Sequence, residues 1–161
     1  MKTNQQRAVA LFKEGFSCSQ AVFAACAPEM GLDKKKALQT AQAFGGGMAH
    51  MGLTCGAVTG ALMVIGLKYG RTQADDQAAR DKTYALTKEF AQFFRDKFGT
   101  TGCRELIGID LNNPEDIEKA ERDGIFDNKC TEYVASAALW LEEHLEDRSF
   151  ALNGVKTFHG G

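Results

Sequence analysis

The sequence predicts an all-α fold: a compact helical bundle around one central apolar helix at about residues 55–69. Apolar residues recur at three- and four-residue spacing, and no segment sustains the period-two alternation of β-branched residues that a strand needs. Only Pro28 and Pro114 interrupt the chain, so long helices are permitted. The stretch from Gly56 to Leu67 is apolar on nearly every side, which suits a helix enclosed by others.

The first helix is expected over Gln5 to Glu14, with Ala8, Leu11 and Phe12 on one face and Gly15 ending it. Ser17 and Gln20 form a capping box for a second helix, which runs to about Met30 unless Pro28 ends it earlier. Gly31 closes it, and Asp33 caps a third from Lys34 to about Phe44. Gly45 to Gly52 reads as a loop, because its glycines make a regular element costly. Thr54 is the expected cap of the central helix, Cys55 to about Tyr69, and Gly70 ends it. Gly56 and Gly60, one turn apart, would let another backbone approach. A long helix follows from Asp75 to about Phe98, with Leu86, Phe90, Phe93 and Phe94 as a core-facing stripe. Cys103 to Ile107 is a short turn of helix, and Glu115 to Arg122 a small acidic one. Asp127 is the expected cap of the last helix, Lys129 to about Leu145, with Val134, Ala138, Leu141 and Leu145 facing inward.

A chain of 161 residues fits one domain, expected over 1–146 with a loosely ordered tail at 147–161. The net charge of -2 and the lack of a basic stripe argue against a nucleic-acid partner. The most apolar stretch is too short for membrane insertion, and the polar N-terminus does not read as a signal peptide. A cytoplasmic location is therefore expected. There a reducing milieu steers the five cysteines away from structural disulfides, toward ligand, catalytic or buried roles.

No C-x-x-C occurs, so spacing says little about the cysteines. Position says more. Cys18, Cys55, Cys103 and Cys130 each fall in the first turn of an expected helix. Unpaired N–H groups and the helix dipole favour thiolate there, the form that binds metal or attacks a disulfide. Cys26 lies two helical turns past Cys18, roughly 12 Å along the axis, and reads as a core residue. His50, in the glycine loop, reads as solvent-facing before a ligand or proton donor, and Arg104 as half of a surface salt bridge.

These residues also carry a likeness. Phe16 to Val22 around Cys18, Phe44 to Met48, Cys55 to Gly60, Gly102 to Gly108 around Cys103, and Cys130 together resemble the C-GCAxxG-C-C family. These are small helical proteins with four cysteines around a glycine-rich motif. Here the order Cys55-Gly56-Ala57 departs from the letters of that name. The resemblance implies redox activity. The family is also similar to the non-haem part of split-Soret cytochromes, where cysteines accompany an iron–sulfur centre. The chain has no C-x-x-C-H, so covalent haem is not expected.

Three functions compete. In the first, Cys18, Cys55, Cys103 and Cys130 ligate an iron–sulfur cluster, [2Fe–2S] in type, for electron transfer to a redox partner protein. Gly45, Gly46, Gly47 and Gly56 would then let backbone approach the cluster. In the second, the cysteines form a thiol–disulfide pair or sensor with Cys55 as nucleophile and no cofactor. The third is a structural zinc site or a small-ligand module. The apolar helix faces would also suit a homodimer.

Overall fold

The structure, a computed structural model, describes residues 1–145. The tail expected at 147–161 lies outside the described residues. Within them every regular element is a helix, and the nearest approach to a sheet is a single antiparallel bridge, Thr54 with Gly102.

Helix α1, Asn4–Lys13, has a capping box of its own. Thr3 Oγ1 accepts from Gln6 N at 3.1 Å, and Gln6 Oε1 accepts from Thr3 N at 3.0 Å. Gly15, at φ +101°, turns the chain into α2, Cys18–Cys26. Gln20 Oε1 accepts from Ser17 N at 3.1 Å, as the sequence pattern requires. Pro28 converts the next four residues, Ala27–Met30, into a 3₁₀ turn. Asp33 caps α3, Lys34–Ala41, and a second 3₁₀ turn covers Gln42–Phe44.

The central helix is α4, Gly56–Tyr69. It packs on α2, on α5 (Gln77–Phe98) and on α8 (Thr131–Leu145). Its Gly56 and Gly60 face α2 at backbone distance. A Cβ at Gly60 would sit 2.8 Å from the Ser19 carbonyl oxygen, and one at Gly56 2.9 Å from Ser19 N. On the far side, Phe90 and Phe94 of α5 are wholly buried. The Phe90 ring meets Trp140 edge-on at 5.2 Å. Two short helices, α6 (Cys103–Ile107) and α7 (Pro114–Arg122), complete the bundle.

Three local expectations are corrected. Thr54 does not cap α4: it is held in the bridge to Gly102, and Cys55 becomes the capping residue. Asp127 does not cap α8, because the chain is already wound into a wide π-type turn at Phe126–Cys130 that merges into the helix. Gly45 to Gly52 is not an open loop. Gly46, Gly47, Met48, Ala49 and His50 all have φ between +49° and +66°, one turn of left-handed backbone.

Candidate thiol site

The four cysteines of the motif come from four separate elements and meet on one cleft of about 1160 Å³. Cys18 is the first residue of α2 and is half-buried. Cys55 caps α4, Cys103 opens α6, and Cys130 ends the π turn; all three are buried. The bridge at Thr54 ties two of them together. Cys55 N donates to the Thr101 carbonyl at 2.7 Å, and Cys103 N donates to that of Leu53 at 2.6 Å. Cys18 feels the charge of the other three, Cys55 that of Cys103 and Cys130, and Cys103 that of Cys130. The strongest thiol–thiol interaction pairs Cys18 with Cys130, raising the first and lowering the second.

The glycines explain how the cysteine-bearing turns close up. A Cβ at Gly47 would lie 2.7 Å from Cys103 Cβ, one at Gly56 3.1 Å from Cys18 Cβ, and one at Gly45 2.5 Å from Ser17 Cβ. Gly46 and Gly56 line the cleft itself. Residues 16–144 match the family described as "Putative redox-active protein (C_GCAxxG_C_C)". The chain belongs to this family. Neither a curated relative nor a solved structure matches it. The C_GCAxxG_C_C match spans all four cleft cysteines, so its redox description attaches to the segment that builds the cleft. Among the described residues no helix is long and apolar enough to cross a membrane.

In this C_GCAxxG_C_C protein the left-handed turn forms one wall. Such backbone costs a non-glycine residue roughly 1–2 kcal/mol, so something must hold Met48, Ala49 and His50 in it. Leu53 N donates to the Gly47 carbonyl at 3.0 Å, and Asn112 Nδ2 donates to that of His50 at 2.9 Å. Asn112 N is in turn held by Asp110 Oδ1 at 2.9 Å, and Asp110 pairs with Arg104 at 3.0 Å. Arg104 is thus the surface salt bridge the sequence suggested, and its N–H also grips the Gly52 carbonyl at 3.2 Å. His50 is exposed, as expected, but its ring folds over Gly46 at the cleft.

Electrostatics overturn part of the helix-start argument. Burial pushes the Cys55 thiol up to about 12, against the pull of the Ala57 and Val58 N–H groups, and pushes Cys103 up to about 11. Cys18 is raised first by its interaction with Cys130 and then by burial. Cys130 alone is lowered, by that same interaction, with Lys129 helping. The thiol held most readily as thiolate is therefore Cys130 rather than Cys55. Desolvation outweighs a half-charge at a helix end once the sulfur leaves water.

Tyr133 also lines the cleft and was not singled out by sequence. Its hydroxyl donates to the Leu106 carbonyl at 3.1 Å, and burial with the nearby cysteines pushes it up to about 12. The available signal was its place three residues after Cys130, on the same helical face. Cys26 lies outside the cleft, 1% exposed in the core, as read.

Among the described residues, no group of three or more His, Cys, Asp or Glu side chains is placed to hold one metal ion. The four cysteines line one cleft with Gly46 and Gly56, and four thiolates are the donor set that a two-iron, two-sulfide group takes.

Proposed function

We propose that this protein is an electron carrier whose Cys18, Cys55, Cys103 and Cys130 hold a [2Fe–2S] cluster. The observation that supports it most is the convergence of four thiols from four elements on a single glycine-walled cleft. A bound cluster supplies one-electron redox chemistry. The chain's own part is to hold the ligands in place. The Thr54–Gly102 bridge fixes Cys55 against Cys103. The approach of α2 to α4 sets Cys18 beside Gly56, and the π turn presents Cys130 to Cys18. The Ala57 and Val58 N–H groups and Lys129 offset the negative charge of the sulfurs.

The test is metal and sulfide analysis with an absorption spectrum on anaerobically prepared full-length protein. About two irons and two sulfides per chain are expected, as a four-thiolate [2Fe–2S] site requires. Replacing any of the four cleft cysteines with serine should lower the iron content, whereas Cys26→Ser should not. Colourless, iron-free protein after anaerobic reconstitution would overturn the reading, and stoichiometric zinc would move it to a structural site.

A further inference from the structure

The cleft is far larger than the group proposed for it. Two irons and two sulfides displace on the order of four water volumes, ~120 Å³, whereas the cleft measures about 1160 Å³. The remaining space has a composition of its own. Phe12, in the last turn of α1, and Phe16, just after it, line the cleft from the α1–α2 junction. Ile117 of α7 and Phe126, which opens the π turn, line it as well. All four are only half-buried, in a protein that seals Phe90 and Phe94 completely. Among the described residues α7 shares no broad packing face with another helix. Apolar side chains of three elements thus border one cavity without covering each other, the composition of a ligand pocket. Its polar residues restrict the charge of a ligand. Glu121 and Asp127 line the cleft against Lys13, which favours a neutral molecule over an anion. Gln42, also at the cleft, gives its side-chain oxygen to Gln20 Nε2 at 2.9 Å, so its N–H₂ group is the part left to donate.

We infer that the cleft holds, beside the four cysteines, a second binding site for a small, neutral, planar ring that carries carbonyl oxygens, a molecule of the quinone class. Its ring packs against Phe12, Phe16 and Phe126, edge-on or offset, and against Ile117. Its carbonyl oxygens accept from Gln42 and Lys13. Phe16 stands two residues before Cys18, and Phe126 four before Cys130. The ring therefore lies on the Cys18 and Cys130 side of the four-cysteine site.

This site depends on the walls of the cleft and not on the cluster. Full-length protein, purified anaerobically under reductant, is titrated by equilibrium dialysis with indanone, a neutral, nearly planar ketone inert to thiols. Saturable binding of one molecule per chain is expected. Duroquinone, whose ring has no open position for thiol addition, should compete for it. Naphthalenesulfonate, an anion of similar size, should bind about tenfold more weakly, the cost of like charges in partly wet surroundings. Phe16→Ala and Phe126→Ala should each weaken indanone about two- to tenfold, the worth of one ring–ring contact. Ile117→Trp should fill the space and abolish binding. His144→Ala, far from these walls in the Trp140 stack, should leave it unchanged. Thermal melts by circular dichroism show that each variant is folded; if Ile117→Trp is not, the two phenylalanine variants decide. Absence of saturable binding, binding that none of the cleft variants weakens, a preference for the anion, or no competition from duroquinone would overturn the inference. Indanone binding by protein that takes up no iron would keep this site and remove the cluster. Iron uptake without indanone binding would do the reverse.

Discussion

Helix α2 carries a cysteine at each end, and the two ends have become different places. Cys18, at the start, faces three other sulfurs across a cleft. Cys26, at the end, is sealed in the core, and the charges it feels come from Arg7, Glu29 and Glu142. Both thiols are raised, but for different reasons: Cys18 first through its interaction with Cys130, Cys26 first through burial. What separates the ends is the backbone that meets them. Around Cys18 lie glycine contacts, a left-handed turn and a π turn. The rest of α2 is buried against regular helices, α1 among them. A thiol becomes part of a site here where irregular backbone leaves room beside it.

The largest effect is expected from wedging the cleft end of α2 away from α4. Gly60→Val puts a branched side chain where a Cβ already meets the Ser19 carbonyl at 2.8 Å and Val22 Cβ at 3.1 Å. Overpacking of that kind costs about 3 kcal/mol, a fall of roughly 6–12 °C in Tm for a chain of this size. Gly66, on the same helix, has nothing within 4 Å of its Cβ position. Gly66→Ala should therefore stabilise, by about 0.5–1 kcal/mol. Calorimetry on both variants decides it; a Gly60→Val protein as stable as the wild type would show that close approach does not hold this end.

That close approach was legible in the sequence, because two glycines one turn apart on an apolar helix have few other uses. So were the element order, the Ser17–Gln20 capping box and the core role of Phe90 and Phe94, since each depends on local spacing. The left-handed turn was not. Met48, Ala49 and His50 are held in it in part by Asn112, sixty-two residues on from His50, which grips the carbonyl there. The displacement of Thr54 from its cap was hidden for the same reason: it answers to Gly102, a distant partner. The order of thiol acidities was hidden more deeply. It depends on how far each sulfur is withdrawn from water, which helix position alone does not say.

The buried end can be tested by charge. Burial raises Cys26 from an ordinary value of 9.0 to about 12. Above pH 9 the unfolded chain gives up this proton while the folded chain keeps it, so the folded state binds more protons and stability falls as pH rises. Cys26's contribution is intact below about pH 9 and is lost at up to about 1.4 kcal/mol per pH unit between there and about 12. Cys26→Ala removes it. Urea titrations should show the wild type losing ground to the variant across that window; parallel slopes would mean that Cys26 titrates alike folded and unfolded. Cys26→Ser should instead cost about 1–3 kcal/mol at neutral pH by burying a hydroxyl in an apolar core.

The smallest effect belongs to the left-handed wall of the cleft. Ala49 has φ +49° and ψ +44°, and it is exposed, so its methyl contributes little packing. Glycine there would escape roughly 1–2 kcal/mol of left-handed strain and give back about 0.4–1 kcal/mol by loosening the unfolded chain. Ala49→Gly should therefore stabilise the protein by a net ~0.5–1 kcal/mol, read as a rise in the urea midpoint at unchanged slope. Gly47→Ala should do the opposite, since it adds the same strain and drives a methyl into Cys103 Cβ at 2.7 Å. If Ala49→Gly destabilises instead, the strain at this turn is not borne by the backbone of Ala49. The cleft wall would then owe its shape to the clamp from Asn112 and Arg104 alone.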